Sequence, residues 1–99
     1  MRTLLRAVFP VEASNAAAKS GSLGKTLEST IARLKPEAAY FSAHDGKRSA
    51  TLVFDLKDPS DIPAIVEPLF LELNASVELQ PVMNLDDLRT GLEKASRNR

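Results

Sequence analysis

The dipeptide Asp45-Gly46 lies between two strand-like segments, residues 37–44 and 47–56. Asp-Gly in this position is the strongest short-range signal for a β-hairpin, because both residues of the two-residue turn need a positive φ. The turn also fixes the register of the pairing, so Tyr40 is expected opposite Thr51. Because directly opposed residues share one face of a sheet, the dipeptide predicts which side chains lie together.

The hairpin has one apolar face and one mixed face. The face expected to pack under helices carries Ala39, Phe41, Ala43, Ala50, Leu52 and Phe54. The opposite face carries Tyr40, Ser42, His44, Thr51, Val53 and Asp55. A register slip of one residue would exchange the faces and leave large apolar side chains in water, so the stated register is favoured.

Residues 3–9 and 76–82 alternate as two further strands, and Pro10 closes the first. The side chains expected to face the helices are Leu5, Ala7, Phe9, Val77 and Leu79. Those expected on the open face are Leu4, Arg6, Val8, Ser76, Glu78 and Gln80. The two strands should be neighbours, so an ion pair between Arg6 and Glu78 is expected.

Two helices are predicted between the first strand and the hairpin. Residues 14–19 form a short Ala-rich helix that Gly21 ends in a left-handed conformation, and Ser22 is the expected N-cap of the next helix. The second helix should end before Pro36. Its apolar face consists of Leu23, Leu27, Ile31 and Leu34.

A third helix follows the hairpin and is opened by residues 58–61, with Asp58 or Ser60 as its cap. Pro68 lies within it and should kink it, because the carbonyl of Ala64 loses its bonding partner.

The last helix begins at the capping pair Asn84 and Asp87, with Met83 and Leu88 in the hydrophobic-staple positions. Its narrow apolar stripe is expected to serve core or dimer packing. The stripe consists of Leu85, Leu88, Leu92 and Ala95.

The element order is therefore β-α-β-β-α-β with an additional C-terminal helix. This is the split-βαβ, ferredoxin-like arrangement, an α+β fold with a four-stranded antiparallel sheet and helices on one face. The 99-residue length fits one domain, over residues 1–95, followed by a polar tail over residues 96–99.

Composition excludes several functions. Thirteen Lys+Arg balance thirteen Asp+Glu, which argues against nucleic-acid binding. The absence of cysteine and the single histidine exclude disulfides and argue against a metal site. No apolar run could span a membrane and no secretory signal is recognised, so a cytoplasmic location is expected. Nothing indicates a bound cofactor.

Two motif resemblances fail at the residues that matter. Residues 21–26 look like the end of a phosphate-binding P-loop, but Lys19 occupies the position where that loop needs glycine. Residues 47–54 can be laid on an RNA-recognition motif, but Ser49 and Thr51 stand where bases would stack on aromatic rings. Nucleotide hydrolysis and RNA binding are both disfavoured.

The predicted open face is too apolar for a solvated surface and too charged for a core. A second sheet closing over it would enclose a pocket with a few polar groups. At this point the chain resembles the dimeric α/β-barrel superfamily, in which two ferredoxin-like subunits pack their sheets face to face. Three stretches resemble small bacterial proteins of this type whose activity is not assigned: Phe9-Pro10-Val11-Glu12, Ala43-His44-Asp45-Gly46 and Pro81-Val82-Met83-Asn84-Leu85.

The resemblance implies a homodimer, and it permits several functions. The first is binding of an unidentified small molecule in the pocket on the open face. The second is a cofactor-free enzyme, monooxygenase- or isomerase-like, in which Arg6 would hold an oxyanion and His44 or Glu78 would move a proton. The third is a structural or regulatory dimer without ligand. The candidate ligand-binding residues are Arg6, Tyr40, His44, Glu78 and Gln80.

Each candidate also has a structural interpretation that stays open. His44 could simply flank the turn, Tyr40 could fill the interface, and Glu78 could only neutralise Arg6. Glu78 with Asp55 could instead supply a base if burial raised a pKa.

Overall fold

The computed structural model describes residues 1–98 and contains a single four-stranded sheet in the order β2-β3-β1-β4, antiparallel throughout. In chain order the elements are β1 (Arg2–Val8), α1 (Val11–Ser20), α2 (Ser22–Leu34), β2 (Ala38–His44), β3 (Lys47–Asp55), a 3-10 turn (Pro59–Asp61), α3 (Ile62–Leu73), β4 (Ser76–Pro81) and α4 (Leu85–Arg97). This is the predicted ferredoxin-like α+β fold with its extra C-terminal helix.

The hairpin has the predicted turn and register. Asp45 and Gly46 have φ values of 52° and 75°, as a turn with two left-handed residues requires. Tyr40 pairs with Thr51 across the ladder. β1 lies between β3 and β4.

The core lies between the sheet and the helices. Leu5 on β1, Phe54 on β3 and Leu69 and Leu73 on α3 are at most 1% exposed. Three of the four residues on the predicted α2 face, Leu23, Leu27 and Leu34, pack against this cluster. Each fully buried side chain of this size contributes about 1.5–3 kcal/mol, so the central strands and α3 supply much of the stability.

The prediction that all of β2's inner face packs under helices is wrong. Phe41 lies on the predicted face but is 53% exposed, and Ala43 is also exposed. β2 is an edge strand, and the helical layer covers the central strands but not the far half of the edge. Phe41 instead forms one wall of a shallow groove of about 240 Å³ beside Leu23 and Leu27.

At Gly21 and at Asp58, the helical segments end or begin at, or within one residue of, the capping residues that the sequence predicts. Gly21 ends α1 in the left-handed conformation, as predicted, with φ 86°. The same Gly21 is the N-cap of α2, so the assignment of Ser22 as N-cap is wrong. Ser22 is the first helical residue, and its hydroxyl accepts a hydrogen bond from the Ser20 hydroxyl. Asp58 caps the 3-10 turn that leads into α3, accepting from the Ser60 amide at 2.9 Å.

α4 starts at the predicted capping box, in which the Asn84 side chain accepts from the Asp87 amide and the Asp87 carboxylate accepts from the Asn84 amide. The helix runs through Arg97, so part of the predicted polar tail is helical, and Arg99 lies outside the described residues.

α4 does not contribute to the core. None of residues 85–97 is buried, and the chain measures 55 × 28 × 18 Å because this helix projects from the body. The core alternative for the apolar stripe on α4 is therefore wrong.

No helix formed within residues 1–98 has the length and apolar character needed to cross a bilayer.

Candidate functional site

The open face of the sheet, on the side away from the helices, brings most of the predicted site residues together. One cross-strand row joins Tyr40, Thr51, Arg6 and Glu78, one from each strand. The next row contains Leu4 with its partner Gln80. Same-face rows of an antiparallel sheet lie about 7 Å apart, so Gln80 is within reach of a ligand held at Arg6.

His44 lies apart from this group. It pairs with Lys47 at the end of the hairpin, two rows beyond Thr51 and therefore roughly 13 Å along the strands from Arg6. Its side chain is exposed, with Nε2 3.4 Å from the Asp45 carboxylate. Within one chain His44 and Arg6 do not share a reaction centre, and the enzyme interpretation loses its His44 proton carrier.

Arg6 has no partner of its own within the described chain. It stands directly opposite Glu78, but in residues 1–98 no carboxylate lies within 4.0 Å of its guanidinium. The expected Arg6–Glu78 ion pair is therefore not formed. An exposed pair of this kind has a net worth of only about 0–1 kcal/mol, because the ordering of two long side chains offsets most of the attraction in water.

Around Arg6 the sheet presents an apolar floor. Leu4, Val8 and Val53 are half-buried, and Tyr40 stands above the floor with 72% of its surface exposed. Arg6 thus has Thr51 and Glu78 beside it across the strands and aliphatic side chains before and after it along them, an arrangement that suits a ligand with an anionic end and an apolar body.

Asp55 closes one end of this face and is engaged elsewhere. Its carboxylate binds the Lys57 ammonium and the N-terminal ammonium of Met1, each at 2.6 Å. These contacts, with the Lys57 hydrogen bond the largest, lower the pKa of Asp55 to about 2. Asp55 is thus ionised at neutral pH, and its low pKa makes it a poor proton acceptor, the reverse of the raised pKa that a catalytic base would need. Its contacts favour folding above its usual pKa and are lost as pH falls towards 2.

Arg2 binds two carboxylates at the same end of the face as Asp55. Its guanidinium donates to Glu37 at 2.8 Å and to Asp87 at 2.7 Å, and these carboxylates, Glu37 first, raise the pKa of Arg2. It thereby ties the first turn of α4 to β1. Sequence reasoning missed this role, because the partners lie 35 and 85 residues away.

Arg6 does not line the main clefts of residues 1–98. A cleft of about 450 Å³ lies at the Arg2 and Asp55 end of the open face, and two others lie against the helices. One, of about 210 Å³, separates α2 from α3 and includes Lys25 and Thr26. These are the residues of the P-loop resemblance, and the segment follows α1 rather than a strand. Another, of about 560 Å³, lies at the end of α2 beside Arg33, Lys35 and Lys57. A pocket over Arg6 therefore needs a second surface.

Among residues 1–98 no three His, Asp or Glu side chains are grouped so that they could hold a metal ion.

Comparisons with known proteins add little to this description. The sequence matches no protein-family model and no curated protein. One similar solved structure is "De novo designed protein Ferredog-Diesel", at 8% identity over 82% of this chain and 85% of that chain, with a TM-score of 0.49. The fold assignment stands on the strand order and pairing of the chain itself.

Proposed function

We propose that the protein is a cytoplasmic homodimer that binds a small carboxylate ligand between its two open sheet faces. One observation carries this proposal: Arg6 forms no ion pair within residues 1–98 and lies on the open face between the half-buried Leu4 and Val8 of its own strand.

A second copy is the occupant that suits the open face. The open face is formed by all four strands and carries both apolar and polar side chains, so two such faces can pack on each other as in the dimeric α/β-barrel superfamily. A sheet of this size has a footprint of about 19 Å by 23 Å, or roughly 440 Å². A standard interface buries about 800 Å² on each partner, so a further surface has to contribute.

The stripe on α4 is that further surface. Leu85, Leu88 and Leu92 are 59%, 40% and 61% exposed, on a helix that projects from the body beside β4. We assign them to the same second copy, where their burial extends the interface beyond the sheet. Each leucine removed from water contributes on the order of 1 kcal/mol, given its partial exposure in the single chain.

The ligand class follows from Arg6. Closure of the dimer removes water from the guanidinium, which stands opposite Glu78 but forms no ion pair with it in the single chain, and an unpaired charge in that position would cost several kcal/mol. A ligand carboxylate compensates this cost through two parallel N–H···O bonds. Tyr40 and Gln80 lie near enough to donate further hydrogen bonds, and the aliphatic floor contacts the rest of the ligand.

Benzoate is a suitable probe, since it combines a carboxylate with an apolar ring. Titration of 15N-labelled protein should shift the backbone amides around Arg6 and Tyr40, and R6M should weaken binding by at least about tenfold. K19M, which removes an exposed cation on α1, is the matched control and should leave the titration unchanged.

Equal benzoate affinity in R6M and the parent protein, or shifts confined to the α2–α3 cleft, would contradict the ligand assignment. A monomeric mass in sedimentation velocity at micromolar concentration would contradict the dimer.

A further inference from the structure

The outer edge of β2 has none of the features that usually keep sheet edges apart. Its seven residues, Ala38–His44, include no lysine, arginine, carboxylate, proline or glycine. The opposite edge strand, β4, carries Glu78 and ends in Pro81, and α4 follows it. Natural sheets normally protect an edge with charge, proline or a covering element. β2 is therefore open to pairing with another strand.

The hairpin register shows which backbone groups of β2 are free. A two-residue turn makes His44 and Lys47 a hydrogen-bonded pair, and such pairs recur at every second residue of an antiparallel ladder. The N–H and C=O groups of the intervening residues, Ala39, Phe41 and Ala43, therefore point away from β3. No strand of residues 1–98 lies beyond β2 on that side.

These three positions are symmetric about Phe41. An antiparallel second copy of β2 would bring Phe41 opposite Phe41 and Ala39 opposite Ala43, and it would satisfy every outward backbone group of the three residues. The strand is thus complementary to itself, which a two-fold interface between identical chains requires.

Side chains support the same arrangement. Phe41 is 53% exposed on the helix side, where it borders the apolar groove with Phe9, Leu23 and Leu27. Pairing of two β2 strands sets the two Phe41 rings side by side at the junction of two such grooves. Directly opposed aromatic residues in antiparallel strands contribute about 0.2–1 kcal/mol beyond an Ala–Ala pair.

We infer that β2 pairs antiparallel with β2 of a second copy, about a two-fold axis at Phe41, and forms a continuous eight-stranded sheet. This edge interface does not depend on the face-to-face dimer. Its consequence for the assembly does rest on the proposed function. The edge two-fold is normal to the sheet, whereas the face-to-face two-fold lies parallel to it. Perpendicular two-fold axes are those of a closed tetramer with D2 symmetry.

Charge reversal at Phe41 tests the interface. F41K and F41E each place like charges opposite one another across the two-fold and should abolish edge pairing. An equimolar mixture of the two variants places Lys opposite Glu and should restore it. Sedimentation velocity gives the masses, and circular dichroism checks that each variant is folded. The double variants A39K/A43K and A39E/A43E form a second complementary pair, because residues 39 and 43 oppose each other across the two-fold, should a charge at position 41 prevent folding.

The outcomes separate the two interfaces. With both present, the parent protein has the mass of four chains, each single variant that of two, and the mixture that of four. If only the edge interface exists, the corresponding masses are two chains, one chain and two chains. Single variants that keep the parent mass, or a mixture that does not regain it, would overturn the edge proposal.

Discussion

Arg33 on α2 supplies a hydrogen bond that α3 cannot make for itself. Pro68 has no N–H, so the carbonyl of Ala64 one turn earlier has no partner within the helix. The Arg33 guanidinium donates to that carbonyl. The contact satisfies the freed acceptor and joins the two helices at the proline.

A double-mutant cycle measures this contact. R33M should lower the free energy of unfolding by about 1 kcal/mol, because the Ala64 carbonyl then relies on water alone. In a P68A background the helix regains its own donor, so the cost of R33M should fall towards zero. Urea denaturation at one fixed protein concentration gives all four values. Strict additivity of the two substitutions would show that the arginine does not compensate the proline.

At the residue scale the sequence predicts where a polar group lies better than it predicts which residue binds that group. The unpaired carbonyl of Ala64 and the position of Arg6 on the open face both follow from local rules of helix and strand geometry. Local rules do not show that Arg33 donates to the Ala64 carbonyl, or that Glu78 forms no ion pair with Arg6. Both depend on the three-dimensional positions of segments that are distant in the sequence. The ion pairs of Arg2 with Glu37 and Asp87 were not predicted for the same reason.

At the element scale, boundaries set by local chemistry were predicted most accurately. The Asp45-Gly46 turn and the capping box of α4 each involve side chains within a few residues of the backbone groups they satisfy. The exposure of Phe41 was not predictable in this way. The turn determines the sheet face on which Phe41 lies, but whether helices cover the Phe41 side chain depends on how far the helical layer extends across the sheet.

Replacement by alanine should change the free energy of unfolding in opposite directions at Gly24, which lies in a helix, and at Gly46, which lies in a turn. Gly24 lies within α2 with no atom within 4 Å of an added methyl group, so G24A should raise the free energy of unfolding by about 0.5–1 kcal/mol. Gly46 has a φ of 75°, so G46A should lower it by about 1 kcal/mol. Urea denaturation of both variants is the measurement. Shifts of the same sign would contradict the assigned roles.

For the whole molecule, the projecting helix α4 governs how two copies meet in the proposed face-to-face dimer. It is joined to the body through its first turn, where Arg2 binds Asp87, and its stripe faces outward.

L92D should weaken that dimer by at least about tenfold, because a carboxylate would enter the apolar contact. T90D adds the same charge on the opposite side of α4 and should leave the dimer unchanged. Sedimentation equilibrium in the F41K background, where edge pairing is removed, gives the dissociation constants. Equal constants for the two variants would show that α4 stays free in the dimer.

The central position of β1 also shapes how the chain folds during synthesis. β1 is made well before β4, against which it lies in the finished sheet. Closing the loop between them costs roughly 4 kcal/mol of chain entropy before their contacts form. Until residue 81 has left the ribosome, the strand at the centre of the finished sheet is itself an unprotected edge. Slow translation of the segment that leads up to residue 81 would therefore lengthen the period in which the nascent chain is prone to mispairing.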